Sequence, residues 1–267
     1  MTLDSRTSIG STDQAEGLRT LFGSSYPKVF ILSSSLDPES TAAIGLGTAQ
    51  ALQKSNFKVL LVDEVPVSAR TSSQGLAYPV QYDLAQALAG LVPLEKSIRH
   101  VEENLWYVTG SRMRAFHQSK KIHSPPLDRI LHERGYGLDF ILVATNDPYP
   151  PALSSYSKQC QSIVIARVDD SNFIHTMTLI RDLSIHSLND SIPIMMVGGE
   201  NRAEGEAAFE VLKRNVNQYL EQKIHLLFWV AAKSLQELSG NADSGRDNET
   251  LLLPSSLFKQ MAHQITS

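Results

Sequence analysis

The stretch from Lys28 to Glu64, KVFILSSSLDPESTAAIGLGTAQALQKSNFKVLLVDE, constrains this chain more than any other. An apolar run, a polar turn, a helix rich in small residues and a second apolar run ending in acid make one βαβ unit. In open α/β sheets the first strand-to-helix turn of such a unit is where phosphates are held. A phosphate cradle needs glycines, whose bare backbone lets several N–H groups converge, and a lysine to meet the charge. The turn here, Ser33–Thr41, has no glycine and no lysine. Pro38 has no N–H to give, and Asp37 and Glu39 add negative charge. With an effective dielectric near 20 and a separation of about 5 Å, each carboxylate opposes each phosphate charge by about 3 kcal/mol. What the turn does encode is a helix start. Asp37 suits the N-cap, Pro38 the first helical position and Glu39 the positive end of the helix dipole. This pattern places the Asp37 carboxylate where a phosphate would otherwise sit.

The rest of the composition narrows the class. A chain of 267 residues with 42% hydrophobic content can bury one large α/β core. A net charge of −4 argues against a broadly basic DNA-binding surface, so no DNA partner is expected. The single cysteine, Cys160, allows no internal disulfide and no multi-thiolate metal site, and fits a reducing cytosol. The histidines form no close pair suited to a metal, with His117 and His123 expected in a loop. No G-x-S-x-G elbow is present, and Asp169-Asp170 reads as a solvated loop pair rather than a catalytic dyad. Met1–Thr12 is polar, without the pattern of a signal peptide, and no apolar run is long enough to span a bilayer. A cytoplasmic location is expected.

Along the chain three parts are expected: a flexible segment over 1–26, an α/β domain over 27–238, and a linker with a C-terminal amphipathic helix over 239–267. In the first part, Leu18, Leu21 and Phe22 fall at i, i+3, i+4 of a short helix begun by Asp13. After the βαβ unit a loop over 66–79 leads to a helix from about Leu84, stopped near Gly90, and a second short turn of helix. Leu105–Gly110 is a strand. Ser111–Pro126, with Arg112, Arg114, Lys120 and Lys121 around Phe116, reads as a mobile basic loop. Leu127–Arg134 is a helix closed by Gly135 and Gly137, and Asp139–Asp147 a central strand by its unbroken apolar run. A helix around Ser154–Lys158, a strand Ser162–Val168, a helix Asn172–Leu183 and a strand IPIMMV follow. A long helix Glu204–Leu220, a last strand IHLLFWV and a short helix Ala231–Leu238 complete the domain. Strands alternating with helices predict a doubly wound, mainly parallel sheet flanked by helices.

Laid out in this order, the chain resembles the MinD/ParA family of deviant-Walker ATPases, a SIMIBI-class P-loop fold, and within it the FlhG branch of flagellar-number regulators. The most specific match is DQAEGLR against the branch motif D-Q-A-x-x-L-R, carried by Asp13, Gln14, Ala15, Leu18 and Arg19. VLLVD at Val59–Asp63, the run Asp83–Glu95 and EGEAAFEVL at Glu204–Leu212 are similar to the family as well. The resemblance implies a partner-binding element made of Asp13, Gln14, Ala15, Leu18, Arg19, Leu21 and Phe22. Its implied partner is an FlhF-like GTPase whose hydrolysis it stimulates.

The departures from the family carry equal weight. The family's phosphate loop, K-G-G-V-G-K-T, has lost both lysines and all three glycines here. Its second strand ends D-x-D, but after Asp63 the second acid is Val65. The acid expected at the end of the central strand is Ala144, and the adenine-contacting asparagine falls on Val197 or Gly198. The resemblance therefore implies a degenerate nucleotide site made of Ser35, Leu36, Asp37, Pro38, Glu39, Ser40, Thr41, Asp63, Val65 and Ala144. No cofactor, no metal and no catalytic residue are expected of such a pseudo-ATPase, which acts by binding. Two other readings stay open at this point: an ATPase with an unorthodox loop, and an adaptor of another polar or envelope assembly. Dimerisation is left open too. The family attaches to membranes through a C-terminal amphipathic helix. Here Leu257, Met261 and Ile265, with Phe258, make a short stripe beside the lone base Lys259, so that packing on the domain and weak or no membrane contact are expected.

Overall fold

The computed structural model describes residues 26–66, 78–119, 125–146, 160–169, 173–186 and 191–231. Its strands are β1 Lys28–Ser34, β2 Val59–Asp63, β3 Arg99–Glu102, β4 Leu105–Thr109, β5 Phe140–Thr145, β6 Gln161–Arg167, β7 Ser191–Val197 and β8 Lys223–Val230. The helices are α1 Pro38–Lys54, α2 Leu84–Leu88, α3 Leu94–Ser97, α4 Met113–Ser119, α5 Leu127–Glu133, α6 Phe173–His186 and α7 Arg202–Leu220. The expectations placed on residues 13–22, 154–158, 232–238 and 255–265 lie outside the described residues.

The strands form one eight-stranded sheet in the order β3-β4-β2-β5-β1-β6-β7-β8, and every neighbouring pair is parallel except β3 with β4. The doubly wound, mainly parallel sheet is thus as the alternation predicts. Strands buried on both faces need apolar residues throughout rather than at alternate positions. Every residue of VLLVD in β2 and of FILVAT in β5 is buried. One face of β1, β2, β4 and β5 packs under α1 through Ile44, Ala49 and Leu52. On the other face Leu84, Met113, Phe116, Leu127 and Leu131 of α2, α4 and α5 cover that half. The β6–β7 half is covered by Leu179, Ile180 and Leu183 of α6 with Phe209, Leu212 and Val216 of α7.

Two elements differ from the sequence reading. The basic stretch after β4 is not a loop throughout: α4 occupies Met113–Ser119, and Met113 and Phe116, one turn apart, are buried against the sheet. Two apolar anchors at i and i+3 suffice to dock a short helix whose other positions are charged. His117 therefore lies in a helix, while His123 is outside the described residues. The second difference is β3, which pairs antiparallel with β4 through a turn at Glu103-Asn104, with Asn104 left-handed at φ 62°. Asparagine tolerates that conformation better than most side chains. None of the described helices is long and apolar enough to cross a membrane.

Helix α1 lies unusually close to β5. A Cβ built on Gly45 would stand 2.6 Å from the Ala144 Cβ, nearer than real Cβ atoms come. Glycine at 45 and a single methyl at 144 are thus one packing solution. Gly205 in α7 does the same for Trp229, whose Cδ1 stands 2.2 Å from the position of an added Cβ and whose Nε1–H donates to the Gly198 carbonyl at 2.7 Å. Gly45→Ala is expected to lower stability by about 1–3 kcal/mol through overpacking, outweighing the gain of about 1 kcal/mol in helix propensity. Pairing it with Ala144→Gly should recover most of the loss in a urea melt. A single variant as stable as the parent would show that α1 is free to lift from the sheet.

Candidate functional site

In open α/β sheets ligands bind beyond the carboxyl ends of the strands where the winding reverses. Here the chain runs from β1 to β2 on one side and from β5 to β6 on the other, so the reversal lies at the β1–α1 turn. The register sets Ala144 beside both Leu32 of β1 and Asp63 of β2. Positions Ser35–Thr41, Asp63, Val65 and Ala144 therefore lie at one edge of the sheet. Residues 13–22 are outside the described residues.

The turn is tied together by its own side chains. Asp37 is the N-cap of α1: its Oδ1 accepts from the Ser40 N–H at 2.8 Å and its Oδ2 from the Ser40 hydroxyl at 2.7 Å. Pro38 fills the first helical position and Glu39 lies in the first turn. The buried Thr41 donates both its N–H and its hydroxyl to the Asp37 carbonyl, each at 3.0 Å. The Leu36 N–H donates to Ser34 Oγ at 3.0 Å, and Ser35 Oγ pairs with Thr176 Oγ1 of α6 at 2.8 Å. The N–H groups of Leu36, Ser40 and Thr41 are all spent inside the chain.

Asn146, the residue after β5, was not singled out in the sequence. Its Nδ2 lies 3.2 Å from the Ser34 carbonyl, 2.8 Å from the Leu36 carbonyl and 2.8 Å from Thr41 Oγ1. Only an NH2 can meet two carbonyl oxygens, so these contacts also fix which way the amide faces. Among the described residues its Oδ1, though buried, meets no hydrogen-bond partner, and neither does Ser33 Oγ. Both such atoms among the described residues thus belong to residues flanking this turn, where an unsatisfied buried group calls for a reason. The signal available in sequence was the polar pair Thr145-Asn146 closing an apolar run at the same edge.

Asp63 is buried. It is 2% exposed, its Oδ2 accepts from the Tyr107 hydroxyl at 2.7 Å and its Oδ1 from the Val65 N–H at 3.2 Å. Val65 itself is fully buried. Tyr78 packs edge-on against Tyr107 with ring centroids 5.4 Å apart. Burial, and then the charge of Glu102, hold the Tyr78 hydroxyl above its usual pKa. Ala144 carries no acid and is closed off by α1 at Gly45.

Beside the turn a cleft of about 330 Å³ opens towards α6, lined by Ser34, Ser35, Asn146, His175 and Asp182 among others, with no lysine or arginine. Asp169 at the end of β6 is tied to Arg167 at 2.7 Å, and Asp170 is outside the described residues. Burial pushes the Cys160 thiol up, away from the thiolate a nucleophile needs. Among the described residues no group of three or more His, Cys, Asp or Glu is placed to hold a metal ion.

The groups at this turn are arranged differently from a phosphate cradle. A phosphate cradle converges N–H donors and a cation on one point. Here two carbonyl oxygens and a hydroxyl converge on one point, the Asn146 amide fills it, and the charges on the turn, Asp37 and Glu39, are negative. Two stability measurements test this geometry. Asp37→Ala is expected to cost about 1 kcal/mol, the usual loss on removing an N-cap. Tyr107→Phe, which takes a donor from the buried Asp63 carboxylate, should cost about 1.5–3 kcal/mol. Unchanged denaturation midpoints would mean that neither contact is held in solution.

No protein-family model matches this chain, and no relative is found among curated proteins. Solved structures do match it. A putative plasmid partition protein of Borrelia burgdorferi bound to AMPPNP is 17% identical over 90% of this chain and 100% of that one, with a TM-score of 0.57. The cell division ATPase MinD of Pyrococcus furiosus is 16% identical over 91% and 99%, with a TM-score of 0.53. MinD of Aquifex aeolicus in its complex with MinC is 19% identical over 79% and 85%, at 0.51. At these identities the likeness is one of architecture: the chain has the fold of the MinD/ParA-type P-loop ATPases.

Proposed function

We propose that this protein is a pseudo-ATPase of FlhG type that regulates flagellar biosynthesis and flagellar number by binding a partner rather than by turning over nucleotide. The observation that carries the first half is the reversed polarity of the β1–α1 turn, where acceptors converge and Asn146 supplies the donor. The capped Ser40 N–H, the inward Asp63 and the closed position of Ala144 support it from three further positions. The partner half is supported by the sequence DQAEGLR. In this reading Leu18, Leu21 and Phe22 enter a groove of an FlhF-like GTPase as one helical stripe. Gln14 and Arg19 are then presented at its nucleotide, a glutamine to orient water and an arginine to meet phosphate charge. Ordering such a segment on binding costs several kcal/mol, so the affinity of the segment alone is modest. The protein works in the bacterial cytoplasm and reaches the pole through its partner.

Two experiments test the halves separately. Calorimetric titration with Mg-ATP or Mg-ADP should give no saturable heat, and saturable binding in the micromolar range would defeat the pseudo-ATPase reading. With an FlhF-like GTPase, the full chain and a peptide of residues 1–25 should both speed GTP hydrolysis. Gln14→Ala should lower stimulation more than binding, and Leu18→Ala should lower both. If the chain lacking residues 1–25 stimulates as well as the full chain, the motif is not the contact.

A further inference from the structure

We propose that Asn146 is a built-in substitute for a ligand: its side-chain amide closes the β1–α1 turn from within, so that the closed state of this edge is permanent and independent of any small molecule. The inference rests on the pseudo-ATPase reading and adds to it the residue that makes the site unresponsive. The two hydrogens of one NH2 group are shared among acceptors on three separate pieces of chain. The group reaches the last residue of β1 through the Ser34 carbonyl, the middle of the turn through the Leu36 carbonyl and the first turn of α1 through Thr41 Oγ1. The residues it joins are more than 100 positions away in sequence, so the contact also fixes the end of β5 against the start of α1.

The directions of these bonds show why an anion is excluded. Ser34 O and Leu36 O are acceptors and point at one place, and Thr41 Oγ1 faces it as an acceptor because its own hydrogen goes to the Asp37 carbonyl. A relay runs from the Asn146 amide through the Thr41 hydroxyl to the Asp37 carbonyl, while Asp37 caps Ser40 with its carboxylate. A phosphate oxygen set at that point meets oxygen from three sides. Asn146 meets it with hydrogens. That Asn146 Oδ1 meets no partner among the described residues fits this role: an amide kept for its two N–H groups alone leaves its oxygen unserved.

Amide hydrogen exchange on the full chain tests this, read at the peptides spanning Ser35–Thr41. In the parent these amides should be protected without nucleotide, and 1 mM-range Mg-ATP or inorganic phosphate should not change their exchange (on the order of less than two-fold). Asn146→Ala and the isosteric Asn146→Asp should each raise exchange across Ser35–Thr41 by about ten-fold or more, with the β6–β8 half unaffected. Asn146→Asp is the deciding variant, because it keeps the volume and removes the donors. Protection close to the parent in Asn146→Asp would mean that Asn146 merely fills space, and the proposal fails. Should either variant not fold, the parent decides: unprotected Ser35–Thr41 amides overturn the inference. Protection that rises on adding Mg-ATP instead overturns the pseudo-ATPase reading beneath it.

Discussion

Helix α1 can sit over β1 and β5 only because the turn that delivers it finds its hydrogen-bond partners inside the chain. The first N–H groups of a helix have no partners within it and must be served by a side chain, water or ligand. Here Asp37 serves Ser40, and the Thr41 hydroxyl and N–H return to the Asp37 carbonyl. The carbonyls left pointing inward at Ser34 and Leu36 are served by Asn146. The close approach of α1 to β5 at Gly45 and Ala144 follows, since it requires the helix to start at a fixed place.

This closure changes what the fold can respond to. A protein whose turn is completed by a bound phosphate gains stability with ligand concentration and can exist in two states. Under the proposed function, a turn completed by Asp37 and Asn146 has only one. Asp63 is likewise held within the chain: its carboxylate accepts from the Tyr107 hydroxyl and the Val65 N–H in a buried network. Under the proposed function, regulation then passes to whatever the N-terminal motif binds, and the α/β domain serves as a rigid carrier.

What sequence made legible was local or periodic. The Asp37-Pro38-Glu39 helix start, the apolar runs of β1, β2 and β5 and the glycine-closed end of α5 each announce themselves within a few residues, and each is found where the pattern puts it. The strand β3 was not legible, because RHVE is exposed at three of four positions and has no identity apart from pairing with β4. Helix α4 was hidden by its charge: Arg112 and Arg114 suggested solvent, although Met113 and Phe116 had helical spacing. Asn146 and Tyr107 were missed for another reason. Their roles are set by partners 44 to 112 residues away, which no window along the chain contains.

The central claim is that this edge is complete without ligand, and ligand-linked stability measures it directly. A ligand that binds only the folded state at 100 times its dissociation constant raises the unfolding free energy by about 2.7 kcal/mol. Urea denaturation of the full chain, with and without millimolar Mg-ATP or Mg-ADP, should give superimposable curves. A midpoint that climbs with nucleotide concentration would show that the turn opens to a phosphate, and would contradict the claim.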